Sequence, residues 1–122
     1  MKFSYRSTFV TLGAINTEEV IQFYSQLLNQ LPQPYILNTY AEFQLQGLRL
    51  AIFRSKVNHE LEFSASENSG MSLCWEVEDL EEAIAFLTEL GYPPPGETMT
   101  ASHGREIYAY DPAGNRLILY QK

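Results

Sequence analysis

Asn16-Thr-Glu-Glu-Val-Ile-Gln-Phe-Tyr-Ser-Gln-Leu27 and Asp79-Leu-Glu-Glu-Ala-Ile-Ala-Phe-Leu-Thr-Glu-Leu90 are two copies of one pattern, 63 residues apart in a chain of 122. Glu18/Glu81, Glu19/Glu82, Ile21/Ile84, Phe23/Phe86 and Leu27/Leu90 are identical pairs, and Pro32/Pro95 continues the match downstream. Each copy opens on a residue that caps helices well, Asn16 or Asp79, with a Glu three positions later to complete a capping box. The apolar positions Val20, Phe23, Tyr24, Leu27 and Leu28 follow the helical period, as do Ala83, Phe86, Leu87 and Leu90. A repeat of half the chain implies one module used twice, with any site shared between the copies.

Working outward, each helix is preceded by a strand and followed by several. Ser7 to Ala14 alternates and reads as the first strand, and Pro32 and Pro34 end the first helical segment. Strands are expected near Tyr35–Asn38, Glu42–Gln46 and Leu48–Arg54, with Gly47 at a hairpin turn. Ser55 to Gly70 is polar and aperiodic and reads as a connector. The second module repeats the order: a strand over Ser72–Glu78, the helix with Gly91 at its C-terminal cap, then strands near Glu97–Ala101, Arg105–Tyr110 and Arg116–Tyr120. Asp111-Pro-Ala-Gly-Asn115 is a strong turn signal between the last two. The fold class expected is α+β. One domain spans residues 1–122, with module 1 over about 5–54, the connector over about 55–70 and module 2 over about 71–122; each half is β-α-β-β-β.

Composition narrows the function. The formal charge is −7, which opposes a nucleic-acid or anionic-membrane partner, since both need basic surface. The one cysteine, Cys74, leaves no intrachain disulfide. Met1 to Thr8 lacks the apolar core of a signal peptide, and no apolar run approaches the ~20 residues of a membrane span. A soluble cytoplasmic protein is expected.

The doubled βαβββ unit resembles the vicinal oxygen chelate superfamily, which includes glyoxalase I, bleomycin-resistance proteins and extradiol dioxygenases. The most specific piece is Gly104-Arg-Glu-Ile-Tyr-Ala-Tyr-Asp-Pro-Ala-Gly-Asn-Arg-Leu-Ile-Leu-Tyr120, similar to that family's strand, Asp-Pro-x-Gly-Asn turn and strand. The resemblance implies that each module curls its mostly antiparallel strands into a cup with the helices on the convex side. Strand alternation then puts Val10, Leu12, Leu48, Leu50, Ile52, Leu73, Trp75, Val77, Leu117 and Leu119 toward the helices. The opposite parity lines the cup, with Phe9, Thr11, Gly13, Arg49, Ala51 and Phe53 from module 1 and Ser72, Cys74, Glu76, Arg116, Ile118 and Tyr120 from module 2; Tyr108 and Tyr110 join them.

Enzymes of that family hold a divalent metal with side chains seven residues before each cap and on the last strand of each module. The corresponding residues here are Phe9, Ala51, Ser72 and Ile118. Phe, Ala and Ile cannot coordinate a metal, and a lone Ser hydroxyl is a poor ligand. No metal and no other cofactor is therefore expected, and catalytic residues are not assigned. His59 reads as an exposed connector histidine and His103 as a turn histidine. Cys74, mid-strand beside Trp75, reads as a buried small hydrophobe rather than a nucleophile. Glu18-Glu19 and Glu81-Glu82 complement the helix dipoles.

What remains is an aromatic cup with a few polar handles. Phe9, Arg49, Phe53, Ser72, Glu76, Tyr108, Arg116, Ile118 and Tyr120 are the expected ligand-binding residues, with Glu76 and Arg116 either a structural pair, exposed at a strand end, or ligand contacts. These residues suit an amphiphilic or aromatic small molecule. The expected function is metal-free small-molecule binding, as in the bleomycin-resistance branch, within a homodimer. The alternatives are a structural or regulatory dimer with no ligand, or an enzyme with an atypical lyase-like or dioxygenase-like site. Whether the chain is an enzyme stays open, and the residues tilt against it.

Overall fold

Asn16 and Asp79 do start the two long helices. Asn16 Oδ1 accepts from the Glu19 amide at 3.4 Å while its Nδ2 donates to Glu19 Oε2 at 2.9 Å, so the first cap is a reciprocal box. Asp79 Oδ1 accepts from the Glu82 amide at 3.0 Å. The helices end on left-handed residues, Asn29 (φ 49°) and Gly91 (φ 96°), whose amides close the last turn. The computed structural model describes residues 1–64 and 68–122; residues 65–67 of the expected connector lie outside them.

Module 1 runs β1 (Val10–Ala14), α1 (Thr17–Leu28), β2 (Tyr35–Ile36), β3 (Tyr40–Leu45) and β4 (Leu48–Arg54). Module 2 runs β5 (Leu73–Glu76), α3 (Leu80–Leu90), β6 (Met99–Ala101), β7 (Gly104–Tyr110) and β8 (Arg116–Gln121). Each forms its own four-stranded sheet, ordered β1-β4-β3-β2 and β5-β8-β7-β6. The first strand pairs parallel with the last in both, and the remaining pairs are antiparallel. The registers match across the repeat: Val10 faces Leu50 and Thr11 faces Ala51, as Leu73 faces Leu117 and Cys74 faces Ile118.

The alternation of the strands works as the pattern predicts. Ala41, Phe43, Leu50 and Ile52 of module 1, and Ile107, Ala109, Leu117 and Leu119 of module 2, are buried against α1 and α3 with Val20, Ile21, Phe23, Tyr24, Leu80 and Leu87. The Asp111 turn joins the modules. Its buried carboxylate accepts from the Ala113 and Asn115 amides at 2.9 and 3.0 Å, from Asn115 Nδ2 at 2.8 Å, and from the hydroxyl of fully buried Tyr24 on α1 at 2.7 Å.

The connector differs from its expected aperiodic form. Val57–His59 is a 3₁₀ turn that leads into a short helix, α2 (Glu60–Ser64), packed on β1. Its anchor is Phe63, whose ring meets Phe53 edge-on at 5.2 Å and lies over Gly13, where an added Cβ would sit 2.8 Å from the ring. Strand ends also differ. β1 begins at Val10 rather than Ser7, and Phe9, just ahead of it, stacks on the Arg49 guanidinium. β2 is only two residues long. No helix among the described residues is long and apolar enough to cross a membrane.

Candidate functional site

The concave face of each sheet carries the residues opposite in parity to the core, and the nine expected ligand residues fall into three groups on it. The first group is on module 1. The Arg49 Cζ stands 3.8 Å from the centre of the Phe9 ring, a cation–π contact, and Arg49 Nε lies 3.9 Å from Glu42 Oε1. Glu42 Oε2 in turn accepts from the Tyr40 hydroxyl at 2.7 Å, and this bond, followed by burial and the Glu42 charge, raises the Tyr40 pKa. Phe53 is capped by Phe63. Ala51, between Thr11 and Glu42 in the ladders, is fully buried beneath these neighbours. Side chains of module 1 thus cover Ala51, which does not line an open cup.

The second group lies at the seam between the edge strands β1 and β5. Arg116 Nε donates to Ser72 Oγ at 2.6 Å, and its Nη2 donates to the Ser69 and Met71 carbonyl oxygens at 2.8 and 3.2 Å. Arg116 therefore ties the chain entering β5 to β8, and the alternative of a Glu76–Arg116 ion pair is not formed. Arg49 and Arg116 hold equivalent places, each just ahead of the first ladder partner of its strand. A cavity of about 290 Å³ opens at this seam, walled by Thr11 and Gly13 on β1, Phe63 and Met71 above, and Ser72 and Arg116.

The third group is on module 2 and is open. Ile118 sits between Cys74 and Tyr108, and Tyr120 lies opposite Glu106. Tyr108 is 40% exposed, and Cys74 and Glu76 are exposed. Cys74 is thus not the buried hydrophobe its neighbours suggest; it stands exposed on the edge strand β5. Partial desolvation, then the Glu106 and Glu76 carboxylates, raise the Cys74 pKa. A thiol held this way stays protonated at neutral pH and is a poor nucleophile. His103, in the β6–β7 turn, rests its ring 4.9 Å from that of Tyr120, whose hydroxyl donates to the His103 carbonyl at 3.2 Å.

The positions that the family resemblance assigns to a metal do not fit one. Phe9 is under a guanidinium, Ala51 is buried between Thr11 and Glu42, and Ile118 is apolar. Ser72, the one oxygen among them, is already bound to Arg116. Among the described residues no group of three or more His, Cys, Asp or Glu side chains stands close enough to hold an ion.

Four residues that sequence reasoning missed belong to these faces: Tyr40, Glu42, Phe63 and Glu106. Tyr40 and Glu42 alternate with core residues Ala41 and Phe43, and Glu106 shares the parity of Tyr108, so period 2 could have found them. Phe63 gives no such signal, since its contact depends on where the connector folds.

No protein-family model matches the chain, and no curated protein matches it in sequence. Solved structures do match over nearly the whole length. The fosfomycin resistance protein FosX from Listeria monocytogenes is 17% identical, with a TM-score of 0.75 over 98% of this chain and 95% of that one. The glyoxalase/bleomycin resistance protein from Catenulispora acidiphila is 22% identical, with a TM-score of 0.66 over 94% and 96%. Lactoylglutathione lyase from Agrobacterium tumefaciens is 15% identical, with a TM-score of 0.69 over 94% and 92%. The chain has the paired-module fold of these glyoxalase, bleomycin-resistance and fosfomycin-resistance proteins.

Proposed function

We propose that this chain is a metal-free small-molecule-binding protein whose ligand lies along the module 2 concave face and the seam. The observation that carries this reading is the side chains at Phe9, Ala51, Ser72 and Ile118. Three have no donor atom and the fourth is engaged by Arg116, while the face around Ile118 keeps an exposed Tyr108 and a polar margin. An aromatic wall edged by Glu76 and Glu106 suits a flat, amphiphilic molecule with a hydrogen-bond donor or a cationic group. Arg116 acts here as a positioning residue for the Ser72 hydroxyl and the 69–72 backbone.

Two measurements test the proposal. Elemental analysis of protein purified without chelator is expected to find no stoichiometric transition metal; about one zinc, nickel, iron or manganese per chain overturns the metal-free reading. Thermal shift against a panel of aromatic amphiphiles is expected to find a stabilising compound, since a ligand at 100 times its Kd adds about 2.7 kcal/mol. Tyr108→Ala should abolish that shift, read against the variant's own unliganded melting temperature. A full shift in Tyr108→Ala places the ligand elsewhere.

A second reading, a dimer with no ligand, is favoured by the module 1 face, where Phe63 pairs with Phe53 and Phe9 with Arg49 while Phe9 and Phe63 keep exposed surface that a second chain could cover. A panel without any stabilising compound favours it.

A further inference from the structure

A further cavity lies away from the concave side. It is a groove of about 710 Å³ on the helix side of module 2, between the end of α1, the face of α3 and the sheet beneath. Its walls are apolar: Leu27, Trp75, Val77, Phe86, Leu87 and Leu119. Phe86 stays 42% exposed there although it repeats Phe23, which is buried in module 1. The indole Nε1 of Trp75 is buried without an acceptor. Glu78, Asp79 and Glu82 rim the groove, and no Lys or Arg lines it.

The chain itself carries the complement. Residues 1–9, ahead of β1, are exposed and outside any helix or strand. In extended form they place Phe3 and Tyr5 on one side and Lys2 and Arg6 on the other. Phe3 is 87% and Tyr5 70% exposed, with their ring centres 5.7 Å apart. These two cations are among just eight in a chain of net charge −7, so acidic surface elsewhere repels a second copy and this stretch attracts one. Exposed paired aromatics with no cover mark an interaction segment.

We propose that the stretch of residues 2–8 of a second copy of this chain docks in the module 2 groove, inserting Phe3 and Tyr5 beside Trp75 and Phe86. Lys2 and Arg6 then face Glu78, Asp79 and Glu82. Exchange in both directions makes a closed twofold dimer. The groove lies on the opposite side of the sheet from the proposed ligand face, so the inference stands apart from that function.

Trp75 is the chain's one tryptophan, so its emission reports on the groove alone. Sedimentation and emission are measured together over a concentration series. The expected result is a monomer–dimer equilibrium in which the Trp75 emission shifts to the blue as dimer forms. Phe3→Ser/Tyr5→Ser should give monomer with red-shifted emission at all concentrations. These side chains are exposed in the monomer, so its melting temperature should not fall. Lys2→Glu/Arg6→Glu should weaken the dimer about tenfold, and Glu78→Lys/Glu82→Lys in the same chain should restore most of that loss. A dimer unchanged by the Phe3/Tyr5 variant overturns the proposal, as does a purely monomeric wild type. Emission that depends on Phe3 and Tyr5 but not on concentration also overturns it, by placing the chain's own arm in the groove.

Discussion

Gly13 shows how a single side chain, present or absent, shapes the concave side. Its missing Cβ leaves the place into which the Phe63 ring fits, with the Phe53 ring 3.0 Å from where that Cβ would be. Gly13→Ala should therefore either expel Phe63 or strain β1, at a cost of about 1–3 kcal/mol. Phe63→Ala in the same chain should recover most of the loss, because the clash is with the ring. Denaturant midpoints of the two single variants and the double variant check this; strictly additive losses would mean that Gly13 is constrained by something other than Phe63. Neither residue could have been paired from the sequence: Gly13 reads as an ordinary small strand residue and Phe63 as part of a polar stretch. Arg116 and Ser72 were legible as cup-facing by parity, yet their mutual bond was not. It depends on the strand register and on the turn at Ser69, which local pattern does not encode.

At the scale of elements, the parts with a period and a cap were the legible ones. Both long helices start within one residue of their predicted caps, and β4 runs over its predicted residues. Edge strands were less legible. β1, β2 and β6 are edge strands; β2 and β6 are short, and β1 starts at Val10 although its neighbour β4 already begins at Leu48. α2 was missed because five residues show no helical period; Glu60 and Glu62 in its first turn are the only local support. The two caps lend themselves to a direct comparison. Asp79→Ala removes one bond to the Glu82 amide and should cost about 1 kcal/mol. Asn16→Ala removes a longer amide contact together with the side-chain bond to Glu19 and should cost a similar amount. Chemical denaturation of both variants checks this. A loss well above that from either one would show that the cap also holds tertiary structure.

On the scale of the whole molecule, the repeat predicts two like modules but does not say how they are joined. The join is polar and buried: the Tyr24 hydroxyl of module 1 on the Asp111 carboxylate of module 2, with the turn's own amides completing the carboxylate's partners. The Asp-Pro-Ala-Gly-Asn motif was legible as a turn; its role as an inter-module lock was not, since Tyr24 lies 87 residues away. Tyr24→Phe keeps the packing and deletes the bond, so it should cost about 1.5–3 kcal/mol, the worth of a hydrogen bond to a charged group. The lock also has a pH signature. Burial, then the Asp111 charge and the bond to it, hold the Tyr24 pKa well above its ordinary value of about 10. The native state keeps this proton where the unfolded chain releases it, so the stability from Tyr24 is intact below about pH 10. Above that pH the unfolded chain binds fewer protons, and stability falls by at most about 1.4 kcal/mol per pH unit from this group. Denaturant midpoints of wild type and Tyr24→Phe from about pH 8 to about pH 11 should converge as pH rises, because the variant lacks the titrating hydroxyl. A constant gap between the two curves would mean that Tyr24 ionises in the folded protein as readily as in the unfolded chain, and that the modules are held together chiefly by the apolar contacts of α1 and α3.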